Sequence, residues 1–132
     1  MAQQTLDQQR AAFAWSSVNR AGNELGARFR DYRNLAKGAP ALIMGSGLMA
    51  AIAFYQSRGK TKEKEAEQLV GDVLGWLQTR GLPGDFRPTM VALQSAGSLE
   101  YMQLTEEALA FLRWVRQFSD AVLKDDPRKA GG

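Results

Sequence analysis

Apolar residues recur along this chain at steps of three and four, and the strict alternation of a half-buried strand is missing. Ala11, Ala14, Val18, Ala21, Leu25, Phe29, Tyr32 and Ala36 line up as one stripe across residues 5–37, which hold no proline and predict a long first helix. Gly22 and Gly26 interrupt that stripe. Each costs about 1 kcal/mol of helix propensity against alanine, and the pair marks either a close helix crossing or a bend. Lys37-Gly38 reads as the helix end, with a cation in the last turn and glycine just beyond it. Pro40 then suits the first turn of a second helix reaching about Ser57 and closed by Arg58-Gly59. Thr61 is placed to cap a third helix over 62–80, with Ala66, Leu69, Val70, Val73, Leu74 and Leu77 on one face. Gly81-Leu82-Pro83-Gly84 is a turn by composition. A short helix from Pro88 to Gly97 and one further turn from Ser98 to Tyr101 follow. Thr105 then caps a last helix over 106–124, with Leu104 and Leu109 at the spacing of a hydrophobic staple and Ala108, Leu112, Val115, Phe118 and Val122 inward. The pattern predicts an all-α protein, one compact bundle of five or six helices over residues 1–132, with 1–8 and 125–132 as frayed tails.

One segment departs from this amphipathic rhythm. Gly38 to Ser57 carries no charge at all, whereas the chain on either side is densely charged. A membrane span needs about 20 predominantly apolar residues. Here a proline opens the segment, Gly45-Ser46-Gly47 interrupts it, and Gln56 and Ser57 close it. A helix that is apolar on all sides also fits the centre of a bundle, and that is the expectation here, with no membrane partner. The first ten residues, MAQQTLDQQR, lack the apolar core of a signal peptide, which fits a cytoplasmic protein.

Composition narrows the chemistry. The chain has neither histidine nor cysteine. The commonest general base, zinc ligand and pH switch are therefore missing, together with thiolates and disulfides. Glu63, Glu65 and Glu67 alternate with lysines and read as a solvated face rather than a metal site. Gly45-Ser46-Gly47 lacks the lysine or the longer glycine pattern that a phosphate loop requires. No catalytic residue, metal site or cofactor is expected. The net charge of +3 is unevenly spread. Residues 1–62 carry nine Lys/Arg against three Asp/Glu, and residues 63–132 carry eight against eleven. A basic half suits a polyanion, although ordinary solvated helix faces give the same totals. Arg30, Arg33 and Lys37 share one helical face, while Arg58, Lys60, Lys62 and Lys64 surround the next helix-to-helix turn. If the first two helices run antiparallel, these two groups lie at opposite ends. Trp15, Trp76, Trp114, Tyr32, Tyr55 and Tyr101 have the chemistry to stack on bases, but most occupy inward positions and read as core.

Three stretches together resemble a known family. They are Phe29-x-x-Tyr32-Arg33-x-Leu35 running into Pro40-Ala41-Leu42-Ile43-Met44-x-x-Gly47-Leu48 and Ala53-Phe54-x-x-Ser57; Trp76-Leu77; and Tyr101-Met102-x-Leu104-Thr105-x-Glu107-Ala108-Leu109-x-Phe111-Leu112-x-Trp114-Val115-x-x-Phe118. Their order and spacing over residues 20–123 are similar to the small α-helical subunit of type III-B CRISPR–Cas effector complexes, the RAMP or Cmr assembly. The resemblance implies a non-catalytic protein of antiviral defence. Several copies would stack along a ribonucleoprotein, beside the backbone and large subunits, and contact guide RNA and target RNA. Arg33 and Arg116 fall on basic positions of that pattern, and Arg58 stands where lysine is common. Arg113, Lys37, Lys60 and Lys62 complete the candidate RNA-contacting set, the lysines by charge alone. The competing reading is a helical DNA-binding or adaptor protein unrelated to CRISPR. Its recognition helix would have to be the short one near 88–97, which carries no cluster of base-reading side chains.

Overall fold

The computed structural model describes residues 3–125, and among them there are six α-helices and no strand. They are α1 (Leu6–Leu25), α2 (Phe29–Ser46), α3 (Leu48–Thr61), α4 (Lys64–Thr79), α5 (Phe86–Ser95) and α6 (Ser98–Asp125). A single 3-10 turn, Gly26–Arg28, links α1 to α2. The all-α bundle expected from the hydrophobic pattern is thus what the chain forms. The expected tail at 125–132 lies almost wholly outside the described residues. The other expected tail is ordered as helix from Leu6.

Local chemistry explains the starts and stops. Thr5 caps α1: its hydroxyl accepts from the Gln8 N–H at 3.0 Å, and the Gln8 side chain accepts from the Thr5 N–H at 2.8 Å. This reciprocal capping box satisfies two backbone donors that no helical carbonyl could reach. The pattern predicts a first helix unbroken to Lys37, but the helix stops at Gly26, which has φ 56°. Glycine reaches that left-handed region without steric penalty, so of the two readings of the glycine pair, Gly26 makes the bend.

The second boundary also moves. Pro40 lies inside α2 rather than at the head of a new helix. Its missing N–H leaves the Ala36 carbonyl without its helical partner, and the burial of Ala36, Ala39 and Ile43 around it outweighs that loss. The reversal comes at Gly47, with φ 95°. There the Tyr101 hydroxyl, reaching across from α6, accepts from the Met49 N–H at 3.1 Å and caps the start of α3.

Two caps expected from the sequence are therefore not caps. Thr61 closes α3, donating its hydroxyl to the Arg58 carbonyl at 2.8 Å. Thr105 sits inside α6 and donates to the Tyr101 carbonyl one turn back at 2.9 Å. The separate turn at 98–101 and the helix at 106–124 are one continuous α6 of 28 residues, about 42 Å long at 1.5 Å per residue.

The centre of the bundle is α4, not the uncharged segment. Ala66, Leu69, Val70, Val73, Leu74, Trp76 and Leu77 of α4 are all buried, and α4 packs against α1, α2, α3 and α6. Around it, Phe13, Trp76 and Phe111 form an aromatic knot, with ring centroids 5.7–6.0 Å apart. The uncharged segment is divided between the end of α2 and α3, and each part buries only one side. Ile43, Leu48, Ala51, Ile52 and Tyr55 face in, while Met44 is 78% and Phe54 46% exposed. The fold-back at Gly47 gives the segment two short amphipathic helices instead of one buried rod. No described helix is long and apolar enough to cross a membrane.

Candidate nucleic-acid interface

Helices α2 and α6 lie side by side and antiparallel: Arg33 meets Asp120, while Met44 lies beside Leu109. Between them runs an open groove of about 430 Å³. It is lined by Lys37 from α2 and Arg113 and Arg116 from α6, over the buried Ala36 and Leu112 and the half-buried Pro40 and Leu109, with the exposed Ala41 beside them and the exposed Met44 at one end. Helical periodicity explains the gathering. Lys37, Ala41 and Met44 recur at steps of four and three on α2, as Leu109, Arg113 and Arg116 do on α6.

Arg33 is adjacent but already engaged. Its guanidinium donates to the Asp120 Oδ1 at 2.8 Å, and the Arg116 Nε stands 4.0 Å from the other oxygen of the same carboxylate. Asp120 therefore neutralises one cation firmly and a second loosely. Among the described residues, Lys37 and Arg113 form no ion pair. Of the seven candidate residues, four (Arg33, Lys37, Arg113 and Arg116) are thus brought to the α2–α6 side.

The other three are placed differently. Because the chain reverses at Gly47, Arg58 returns alongside Asp31, Asn34 and Leu35, near the start of α2. It does not lie at the far end from Arg33, as an earlier reversal would have required. Its hollow also contains Glu63 and Glu65. The Arg58 guanidinium grips Glu63 through both of its carboxylate oxygens and lies 5.2 Å over the Phe54 ring. That hydrogen bonding raises the Arg58 pKa and lowers the Glu63 pKa from their ordinary values. Lys62 offers its carbonyl to Arg28 at 3.1 Å, with its side chain exposed. Lys60 lines a shallow, open hollow beside Asp85, Phe86, Arg87 and Pro88. This second group is interleaved with acids, so its local field is weaker than its residue types suggest.

Several other cationic and aromatic side chains have structural work. Arg20 stands 3.8 Å from Asp72 and Arg28 3.7 Å from Glu65. Tyr32, Tyr55 and Trp76 are core residues. Trp114 stacks on Phe118 at 5.2 Å and donates its indole N–H to Asp7 at 3.0 Å. That hydrogen bond, helped by the Arg10 and Arg113 charges, holds the Asp7 carboxyl below its ordinary value. Trp15 is half exposed and meets Phe118 edge-on at 5.2 Å.

Sequence reading missed two parts of the groove. Asp120 was legible in principle, since Arg116 and Asp120 are one helical turn apart. Met44 was not, because its neighbours marked the whole segment as buried. Among the described residues, no group of acidic side chains is arranged to hold a metal ion.

Comparison with known proteins agrees with the fold and with the sequence blocks. The family model described as CRISPR-associated protein (Cas_Cmr5) matches residues 6–122. A relative from Thermus thermophilus, the CRISPR system Cmr subunit Cmr5, is 34% identical over 95 residues, covering 72% of this chain and 77% of its own. The crystal structure of a CRISPR-associated Cmr5 family protein from the same organism superposes with a TM-score of 0.73 at 33% identity, covering 90% of this chain and 97% of the other. With a family match across nearly all of the described helices and a shared fold at that identity, the chain belongs to the Cmr5 family of CRISPR-associated proteins.

Proposed function

We propose that this chain is a non-catalytic small subunit of a type III-B Cmr effector, working in the cytoplasm and laying cations on the phosphates of guide and target RNA. The observation that carries the reading is the meeting of Lys37, Arg113 and Arg116 along one groove. Cations so placed attract a phosphate backbone without reading its sequence. A chain without histidine or cysteine suits a positioning role better than a chemical one. Its protein partners are the backbone and large subunits of the assembly and further copies of itself, in keeping with the relative that is a Cmr subunit.

The test is binding of the purified chain to short single-stranded RNA across a salt series. Affinity is expected to be weak and to fall steeply with salt. Replacing Lys37, Arg113 and Arg116 together by alanine is expected to flatten the logarithmic salt slope by about 2, from about 0.7 per phosphate contact. An unchanged slope refutes the groove as the phosphate contact. Purification of the tagged chain from its host without RNA or RAMP-type proteins refutes the assignment to an effector.

A further inference from the structure

We propose that the α2–α6 groove seats one unstacked nucleotide of a single-stranded RNA, its base on the apolar floor and its flanking phosphates at the rim. This deepens the RNA-contacting role above and rests on it. A surface that only neutralised duplex phosphates would need charge alone, because a duplex keeps its base faces stacked inside. A single strand presents a charged backbone and a bare base face together, and proteins that hold it pair cations with apolar or aromatic surface. The groove has that pairing. Met44, 78% exposed, closes one end of a lining in which Pro40, Ala41 and Leu109 adjoin the cations Lys37, Arg113 and Arg116. Its opening of about 430 Å³ falls within the range of small-molecule sites.

The chemistry of each part suits a seat without base preference. A methionine thioether is flexible and polarisable and moulds to any flat apolar face. Guanidinium planes also lie flat on bases. Asp120 divides the work among the arginines. It holds Arg33 at 2.8 Å, whereas Arg116, half exposed and 4.0 Å away, is free to turn toward a phosphate. Charge complementarity also favours this occupant over an acidic protein surface. A peptide carboxylate would compete with Asp120 for the same arginines but would leave the floor without a flat partner.

The experiment compares binding of the full chain at low salt to a pyrimidine single strand and to a duplex of the same length. Met44→Ala is expected to weaken single-strand binding several-fold, to leave the duplex unaffected, and to keep the salt slope. Met44→Leu is expected to restore single-strand binding. Lys37→Ala combined with Arg113→Ala is expected to weaken both forms and to lower the single-strand slope by about 1.4. If the cation variant weakens both forms while Met44→Ala changes neither, or changes both equally, the nucleotide seat is wrong and the phosphate-contact role stands. Should Met44→Ala reduce self-association in sedimentation and leave RNA binding intact, the groove is a protein contact and the proposal fails. If the cation variant leaves both affinities unchanged, or the unmodified chain binds neither RNA, both readings fall.

Discussion

Asp72 is the residue whose chemistry is least expected from its neighbours in the chain. It is 3% exposed, accepts from the Tyr32 hydroxyl at 2.7 Å and from Gln68 at 3.1 Å, and has Arg20 at 3.8 Å. Burial outweighs these partners and pushes its carboxyl up to about 6. The same burial, with Asp72 beside it, raises the Tyr32 hydroxyl well above its ordinary value. A folded-state pKa above the unfolded value means the folded protein binds more protons between about pH 4 and 6. Stability from this site is therefore full at the acid end and is lost as pH rises through about 6. At 1.36 kcal/mol per unit, the loss is about 3 kcal/mol. Asp72→Asn keeps an acceptor for Tyr32 and removes the buried charge. It is expected to be more stable than the parent at pH 7 and to have a flatter stability profile between pH 4 and 7, measured by urea unfolding. Parallel profiles for the two proteins would contradict this. The pair was invisible in the sequence because Tyr32 and Asp72 are 40 residues apart. By contrast, the inward positions of α1 and α4 were legible, because helical periodicity alone marks them.

At the scale of the elements, the positions that sequence reading misplaced are those where tertiary packing overrode a local signal. Pro40 has the local signal of a helix start, and burial on both sides carries α2 through it. Pro40→Ala returns a hydrogen bond to the Ala36 carbonyl, while it loses the stiffening that proline gives the unfolded chain. The net gain is expected to be about 1 kcal/mol, read as a higher urea midpoint with unchanged m. A lower midpoint would mean that the proline ring itself is needed in the α2–α6 contact. Gly59 carries the opposite lesson. Its sequence context marks only a helix end, yet a Cβ there would stand 2.8 Å from the Glu67 Cα, so α3 and α4 touch through it. Gly59→Ala must push the two helices apart and is expected to cost about 2 kcal/mol. A neutral result would show that this crossing can relax. Thr105, a good cap by composition, is interior because Gly97 and Ser98 had already begun the helix.

For the molecule as a whole, spacing along the sequence offers the candidate cations but not their company. Arg58 stands where the resembled pattern has lysine, and it is the most firmly paired of the set, held by Glu63 and placed beside Asp31 and Glu65. Lys37 and Arg113 had weaker support and are unpaired among the described residues. Arg113→Ala is therefore expected to reduce RNA affinity and salt slope more than Arg58→Ala does in the same titration. The reverse ranking would move the interface to the α3–α4 corner. Which cations are free depends on which acids the fold brings beside them, and that is long-range information absent from spacing. The cap that Tyr101 places on Met49 has a consequence of another kind. The hairpin of α2 and α3 is completed by a side chain translated some fifty residues later, and α6 also covers α1, α2 and α4. While the chain is being made, its uncharged segment emerges first and waits uncovered for the helix that shields it. A nascent protein stalled before α6 has emerged would be a ready client for chaperones and an aggregation hazard.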